Sequence, residues 1–263
     1  MSEDTFISHL VELRDRLLRS LIAIGIVFVC LFAWASELYD LLAYPMMSTL
    51  PAGSKMIATG VITPFLIPVK VAMMVSFIVV LPYVLYQAWA FVAPGLYVHE
   101  KKLVVPLVVA STVLFLIGIA FCYFFVFGVV FDFVNKIAPA SITVAPDIEQ
   151  YLNFVLTMFL AFGVTFEVPI VVILLARFGV VSLEQLRKIR PYFVVGAFVI
   201  AAVVTPPDVI SQLLLAVPMC LLYELGLFLA RFVAKPKQAD DEYSSPTDAQ
   251  MDGELDSIDA ERK

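Results

Sequence analysis

Polar and apolar positions alternate along this chain in long blocks, and the blocks are too long for a soluble domain. Apolar runs extend over Ser20 to Ala35, Phe65 to Ala93, Leu103 to Val134, Tyr151 to Ala176, Tyr192 to Val204 and Val209 to Ala230. Runs of this kind are what crossing roughly 30 Å of hydrocarbon demands of a helix. They predict six membrane-spanning helices and an all-α fold. The first run ends in Ala33-Trp34-Ala35, which mimics a signal-peptide cleavage site. Four acids (Glu3, Asp4, Glu12, Asp15) precede it where a signal peptide is positively charged, and five further runs follow. Ahead of the first run, Phe6, Leu10, Leu13 and Leu17 recur at helical spacing and predict an amphipathic helix lying on the membrane surface.

Run length separates the spans. The third could reach roughly 48 Å at 1.5 Å per residue, whereas the fifth reaches only about 20 Å. The last two helices are therefore expected to be short, joined by Thr205-Pro206-Pro207-Asp208 with Asp208 as N-cap. Such a hairpin predicts a thinned membrane or a watery recess beside it. The outer segment from Ser36 to Pro64 and the end of the chain are read as connections without a core. The division expected is a membrane domain over residues 1–232 and an acidic, disordered tail over 233–263.

Composition supports lipid as the solvent: 62% of residues are hydrophobic, 15% are charged and the mean hydropathy is +0.97. The net charge of −6 misleads, because residues 238–263 hold nine acids and two bases, leaving the rest nearly neutral. Charge decides orientation instead. Arg14, Arg16, Arg19, Lys101, Lys102, Arg177, Arg187, Lys188, Arg190, Arg231, Lys235, Lys237, Arg262 and Lys263 fall on one side of a six-span chain; Lys55, Lys70 and Lys136 fall on the other. Fourteen against three places both termini in the cytoplasm. In a bacterium the chain is then a multi-pass protein of the cytoplasmic (inner) membrane.

Few polar residues stand against this background. Glu167 lies inside the fourth run, where a charge costs about 2.5 to 3.5 kcal/mol, and Pro169 frees the carbonyl of Thr165 nearby. It is expected to be protonated or hydrogen-bonded to another helix, either as interhelical glue or as a polar point on a substrate or proton path. Glu12 and Arg16, and Asp15 and Arg19, are i,i+4 pairs with the acid first; spacing alone makes Glu12 a surface pair. Glu100 sits in a Pro-Gly loop beside Lys101 and Lys102 and reads as solvated. Lys70 is expected to snorkel to the outer interface, and Glu224 to pair with a cytoplasmic base. Cys30, Cys122 and Cys220 lie in apolar runs with no metal or redox spacing. His-Glu-x-x-His, Gly-x-Ser-x-Gly and phosphate-loop patterns are absent. Catalysis is not expected.

Four stretches together resemble the TatC family, the multispan receptors of the twin-arginine protein translocase: His9-Leu-Val-Glu-Leu-Arg-Asp-Arg-Leu17; Tyr86-Gln-Ala-Trp-Ala-Phe-Val-Ala-Pro-Gly-Leu-Tyr97 leading to His99-Glu-Lys-Lys102; Ala161-Phe-Gly-Val-Thr-Phe-Glu-Val-Pro169; and Arg190-Pro-Tyr through Thr205-Pro-Pro-Asp208. The likeness runs from Ser8 to about Phe232. It implies a cup-like six-helix receptor that binds twin-arginine signal peptides, self-associates, and gathers TatB and TatA so that folded proteins cross the membrane on the proton-motive force. It implies no enzyme, no cofactor, no metal and no nucleic acid. By position, Glu12 and Glu100 resemble the carboxylates that receive the two arginines, with Arg14, Phe91 and Leu96 shaping that site. Glu167 resembles the acid of the concave groove, Pro45 and Asp208 sensitive outer positions, and Thr205 and Gln212 the polar spot where partner helices dock. The competing reading is a proton- or ion-coupled small-solute transporter with Glu167 as proton carrier, which a single midplane acid supports weakly.

Overall fold

A computed structural model describes residues 3–49, 56–92, 104–137, 145–205 and 208–233. Among these residues the chain forms nine α-helices: α1 (Glu3–Leu31), α2 (Ala35–Thr49), α3 (Thr63–Val92), α4 (Val104–Phe121), α5 (Phe127–Ile137), α6 (Ile148–Phe166), α7 (Val168–Arg177), α8 (Leu183–Val204) and α9 (Val209–Val233). Pairing of β type is confined, among the described residues, to an isolated bridge between Ile57 and Asp147. Residues 234–263, the expected tail apart from Val233, lie outside the described residues.

Five helical stretches are long and apolar enough to cross a membrane: Ile7–Ser48, Thr63–Phe91, Val104–Val134, Ile148–Arg177 and Val209–Val233. The expected short pair is corrected in part. The last helix, α9, has 25 residues and is long and apolar enough to cross a membrane. α8 has 22 residues because it begins at a capping box, in which Ser182 accepts from the Gln185 N–H and Gln185 returns a bond to the Ser182 N–H. Its first turns carry Glu184, Arg187, Lys188 and Arg190, so only the stretch from Tyr192 to Val204 is continuously apolar.

The segment expected to be an outer loop also changes. Residues 35–49 form α2, which follows α1 after a single 3₁₀ turn at Phe32–Trp34 and packs on α3 and α5. α4 and α5 are two parts of one long run joined by a π-helical turn at Cys122–Val126, an extra residue that resets the face presented downstream. α6 and α7 are likewise one span interrupted at Glu167.

Lipid offers no hydrophobic drive for helix association, so contact depends on close packing and small residues. Gly118 on α4 lies against the backbone of α6, where an added Cβ would come 2.6 Å from the Phe162 carbonyl oxygen. Gly226 on α9 lies against α7, 2.9 Å from Pro169 Cα by the same measure. The main buried cluster joins Phe127, Phe131, Phe159 and Phe162 to Met46, Ala201 and Leu215, bringing α2, α5, α6, α8 and α9 together. A second cluster gathers Val172, Ala176, Leu186, Tyr223 and Leu227. Within it the Tyr223 ring stacks on Phe193 at 4.0 Å and its hydroxyl donates to the Leu186 carbonyl. α1 is peripheral, with Leu21, Ile22, Ile26 and Val29 exposed; it lies along α3.

Candidate functional sites at α1, Glu167 and the outer face

Helical spacing places Glu12 one turn before Arg16, and α1 carries the pair to the end of α3. Arg16 donates to Glu12 Oε1 from Nε at 3.0 Å and from Nη2 at 2.6 Å, and from Nη1 to Gln87 Oε1 at 3.1 Å. Gln87 is buried. One turn further along α3, the ring of Phe91 stacks on His9 at 4.3 Å. Glu12 therefore sits on a fixed helix-to-helix contact, where the chain leaves α3 and enters residues 93–103. Leu96 and Glu100 fall in that segment, outside the described residues. Arg14 turns to its neighbour: Nη2 and Nε reach Asp15 Oδ1 at 2.8 and 2.9 Å. The expected Asp15 to Arg19 pair is replaced by this contact.

Glu167 closes α6. Its N–H bonds the Val164 carbonyl at 3.0 Å, a three-residue turn instead of the α-helical four, and Pro169 lies in the first turn of α7. Both carboxylate oxygens are enclosed and lack a hydrogen-bond partner of good geometry. The polar group beside them is the Ser111 hydroxyl of α4, which already accepts the Trp89 indole N–H of α3 at 3.0 Å. Trp89 and Ser111 thus form a polar line from α3 through α4 toward the break in the fourth span. Neither residue stands out in the sequence, since each is a single polar atom in an apolar run.

The outer positions occupy separate places. Pro45, inside α2, lacks the N–H that would bond the Leu41 carbonyl. Tyr123, in the π-helical turn, donates its hydroxyl to that carbonyl at 2.9 Å. Tyr151 donates to the Leu42 carbonyl at 2.8 Å and accepts the Met46 N–H. Asp208 caps α9 as expected, accepting the Ser211 N–H at 2.6 Å. Thr205 is buried, its hydroxyl bonded to the Ala201 carbonyl at 2.8 Å, and the Gln212 amide donates to the Phe198 carbonyl at 3.2 Å. Thr205 and Gln212 thus bond backbone one turn apart on α8.

Thr205 also lines an open recess of about 350 Å³ together with Val204, Gln150, Asn153, Phe154 and Thr157. Gln150, Asn153 and Thr157 escaped the sequence reading, although their i, i+3, i+7 spacing on α6 is a visible polar stripe. Lys70 does not snorkel freely. It reaches Glu149 and Asn153 at 3.1 Å each, and Glu149 also accepts the Thr63 hydroxyl. Next to this pair Asp147 caps α6 and accepts the Thr59 hydroxyl at 2.6 Å. The Thr59 hydroxyl, followed by the Gln150 N–H, holds the Asp147 carboxyl below its usual range. Glu224 pairs with Arg190 at 2.7 Å.

Residues 8–218 match the family described as Sec-independent protein translocase protein (TatC). The chain belongs to the TatC family. It is 53% identical over 232 residues to the TatC protein of Escherichia coli strain K12, covering 88% of this chain and 90% of that one. To the TatC protein of Haemophilus influenzae it is 51% identical over 236 residues, covering 90% and 91%. A crystal structure of the twin-arginine translocase receptor TatC is similar with a TM-score of 0.76 at 39% identity, over 86% of this chain and 99% of that chain. TatC proteins are components of a protein translocase, and the helix contacts above belong to a member of that family.

Proposed function

We propose that this chain is the signal-peptide receptor of a twin-arginine translocase, in which Glu12 and Glu100 take the two consecutive arginines on the cytoplasmic face. The observation that carries this reading is the docking of the Glu12 turn of α1 on the end of α3, where Arg16, paired with Glu12, reaches Gln87 and His9 stacks on Phe91, next in the chain to the segment that holds Leu96 and Glu100. An arginine fork binds a carboxylate through two parallel bonds, whereas lysine offers a point charge. Two such contacts contribute up to about 1.5 to 3 kcal/mol each, less where water screens them. That suffices to separate Arg-Arg from Lys-Lys peptides. Arg14, paired with Asp15, helps with Phe91 and Leu96 to shape that site.

The apolar part of the peptide lies along the groove near Glu167. TatB and TatA helices dock beside Thr205 and Gln212, and Pro45 and Asp208 keep the outer ends of their helices in shape. Copies of the receptor associate, and the assembly moves folded proteins across the bacterial inner membrane on the proton-motive force. In this arrangement six helices cross the membrane and both termini are cytoplasmic, in keeping with the fourteen-to-three division of Lys and Arg. No catalytic step or cofactor enters.

The test places a photo-reactive residue beside the arginine pair of a signal peptide. Capture of the chain near Glu12 and within residues 93–103 is expected for the Arg-Arg peptide and not for the Lys-Lys version, and Glu100→Lys is expected to abolish capture while the protein still inserts. Equal capture of both peptides, or wild-type capture by Glu100→Lys, refutes the site.

A further inference from the structure

The carboxylate assigned to a peptide arginine already holds one. Arg16 gives two hydrogen bonds to a single oxygen of Glu12 and a third to Gln87 on α3. An ordinary i,i+4 pair on a solvated helix is loosely held. Here the arginine side chain is only 22% exposed, and its third bond goes to a side chain on another helix that is itself buried. The guanidinium is thus pinned from α3 as well as from its own helix.

We propose that Arg16 is a resident stand-in for the incoming arginine, occupying Glu12 in the free receptor and giving it up when a signal peptide binds. The inference rests on the reading of Glu12 as a peptide-binding carboxylate. Arg16 has taken Oε1 with two donors and stands against the carboxylate. An incoming cation, guanidinium or ammonium, meets that like charge and reaches full contact with Glu12 only when Arg16 leaves. Gln87 keeps one hydrogen bond to the displaced guanidinium, so release costs the ion pair but does not strip the side chain of every partner. The remaining charges nearby do not compete for Glu12: Arg14 is engaged with Asp15.

The consequence is a threshold. A receptor whose competent state is only partly populated binds every ligand more weakly by the same factor. Arg16 therefore leaves the preference for Arg-Arg over Lys-Lys untouched and pushes weak basic peptides below useful affinity. This differs from a positioning role, in which Arg16 would hold Glu12 in shape and its loss would weaken binding.

The experiment uses the full chain in lipid nanodiscs and fluorescent signal peptides in Arg-Arg and Lys-Lys forms. Wild type is compared with Arg16→Gln, Arg16→Lys, Glu12→Gln and the Glu12→Gln/Arg16→Gln double variant, each checked for monodisperse elution. Arg16→Gln is expected to tighten both peptides by the same factor of about two to five, the range of a partly screened ion pair. Arg16→Lys, which keeps the charge and most of the packing, is expected to tighten both by less. The gain is expected to vanish when Glu12 is already Gln. Unchanged or weakened binding in both Arg16 variants overturns the inference, and so does a gain that persists without Glu12, which would be general charge repulsion. Loss of Arg-Arg binding in Glu12→Gln with no gain in either Arg16 variant sinks the stand-in alone; wild-type binding in Glu12→Gln sinks the peptide site and the stand-in together.

Discussion

The two tyrosines that meet α2 allow the role of Pro45 to be measured. Proline at position 45 removes the helical donor for the Leu41 carbonyl and leaves the residue after it, Met46, with its own N–H. Tyr123 serves the Leu41 carbonyl and Tyr151 the Leu42 carbonyl. Tyr151→Phe should destabilise the protein by about 1 to 3 kcal/mol, because Tyr151 is 5% exposed and its loss strips a partner from groups water reaches poorly. Tyr123→Phe should cost less, about 0.5 to 1.5 kcal/mol, since its bond lies at an exposed edge. The decisive comparison is with Pro45→Ala, which returns an N–H to the Leu41 carbonyl. In that background Tyr123→Phe should become nearly neutral, a coupling of about 0.5 to 1 kcal/mol, while the cost of Tyr151→Phe should stay as it was. Reversible denaturation of the bicelle-reconstituted protein, followed by circular dichroism, supplies the four free energies of each cycle. Equal costs of Tyr123→Phe with and without Pro45 would refute the idea that Tyr123 compensates for the proline.

Two further outcomes test the other polar groups. Glu167→Gln should insert normally and lose less transport of a folded reporter than Glu167→Lys, which adds a charge costing about 2.5 to 3.5 kcal/mol at this depth; complete loss with Gln would instead assign Glu167 an ionised, proton-carrying role. For Asp147 the sign follows from its depressed pKa: the unfolded group titrates near 3.8, the folded one lower. Its contribution is therefore complete above that value and is lost as pH falls through the folded pKa. Wild type should lose thermal stability relative to Asp147→Asn below about pH 4, and parallel profiles for the two proteins would show that the Thr59 contact contributes nothing.

Hydropathy made five of the spans legible because a run of apolar residues is a local property. The interruptions were less so. α2 begins with Ala-Ser-Glu and carries Asp40 and Pro45, which read as a loop when no apolar stripe is demanded; it folds as a helix because α3 and α5 give it surfaces to pack on. The fifth apolar run begins at Tyr192, whereas the helix that carries it begins ten residues earlier, at the capping box of Ser182 and Gln185. Hydropathy marks where the apolar stretch starts, and the cap marks where the helix does.

Partners on other helices form a different class. The Glu12 to Arg16 pair follows from spacing, but nothing local tells that Arg16 also reaches Gln87, 71 residues away. The same holds for Lys70, whose partner Glu149 is 79 residues distant. Burial from water makes an unpaired polar group costly, so a polar residue inside an apolar run announces that a partner exists without naming it. Glu167 breaks that rule in a useful way. Its sequence position announces a partner, and the fold encloses both its oxygens with none in good geometry. We propose that this carboxyl, at a break in its helix and beside the Ser111 hydroxyl, faces the groove that receives the peptide.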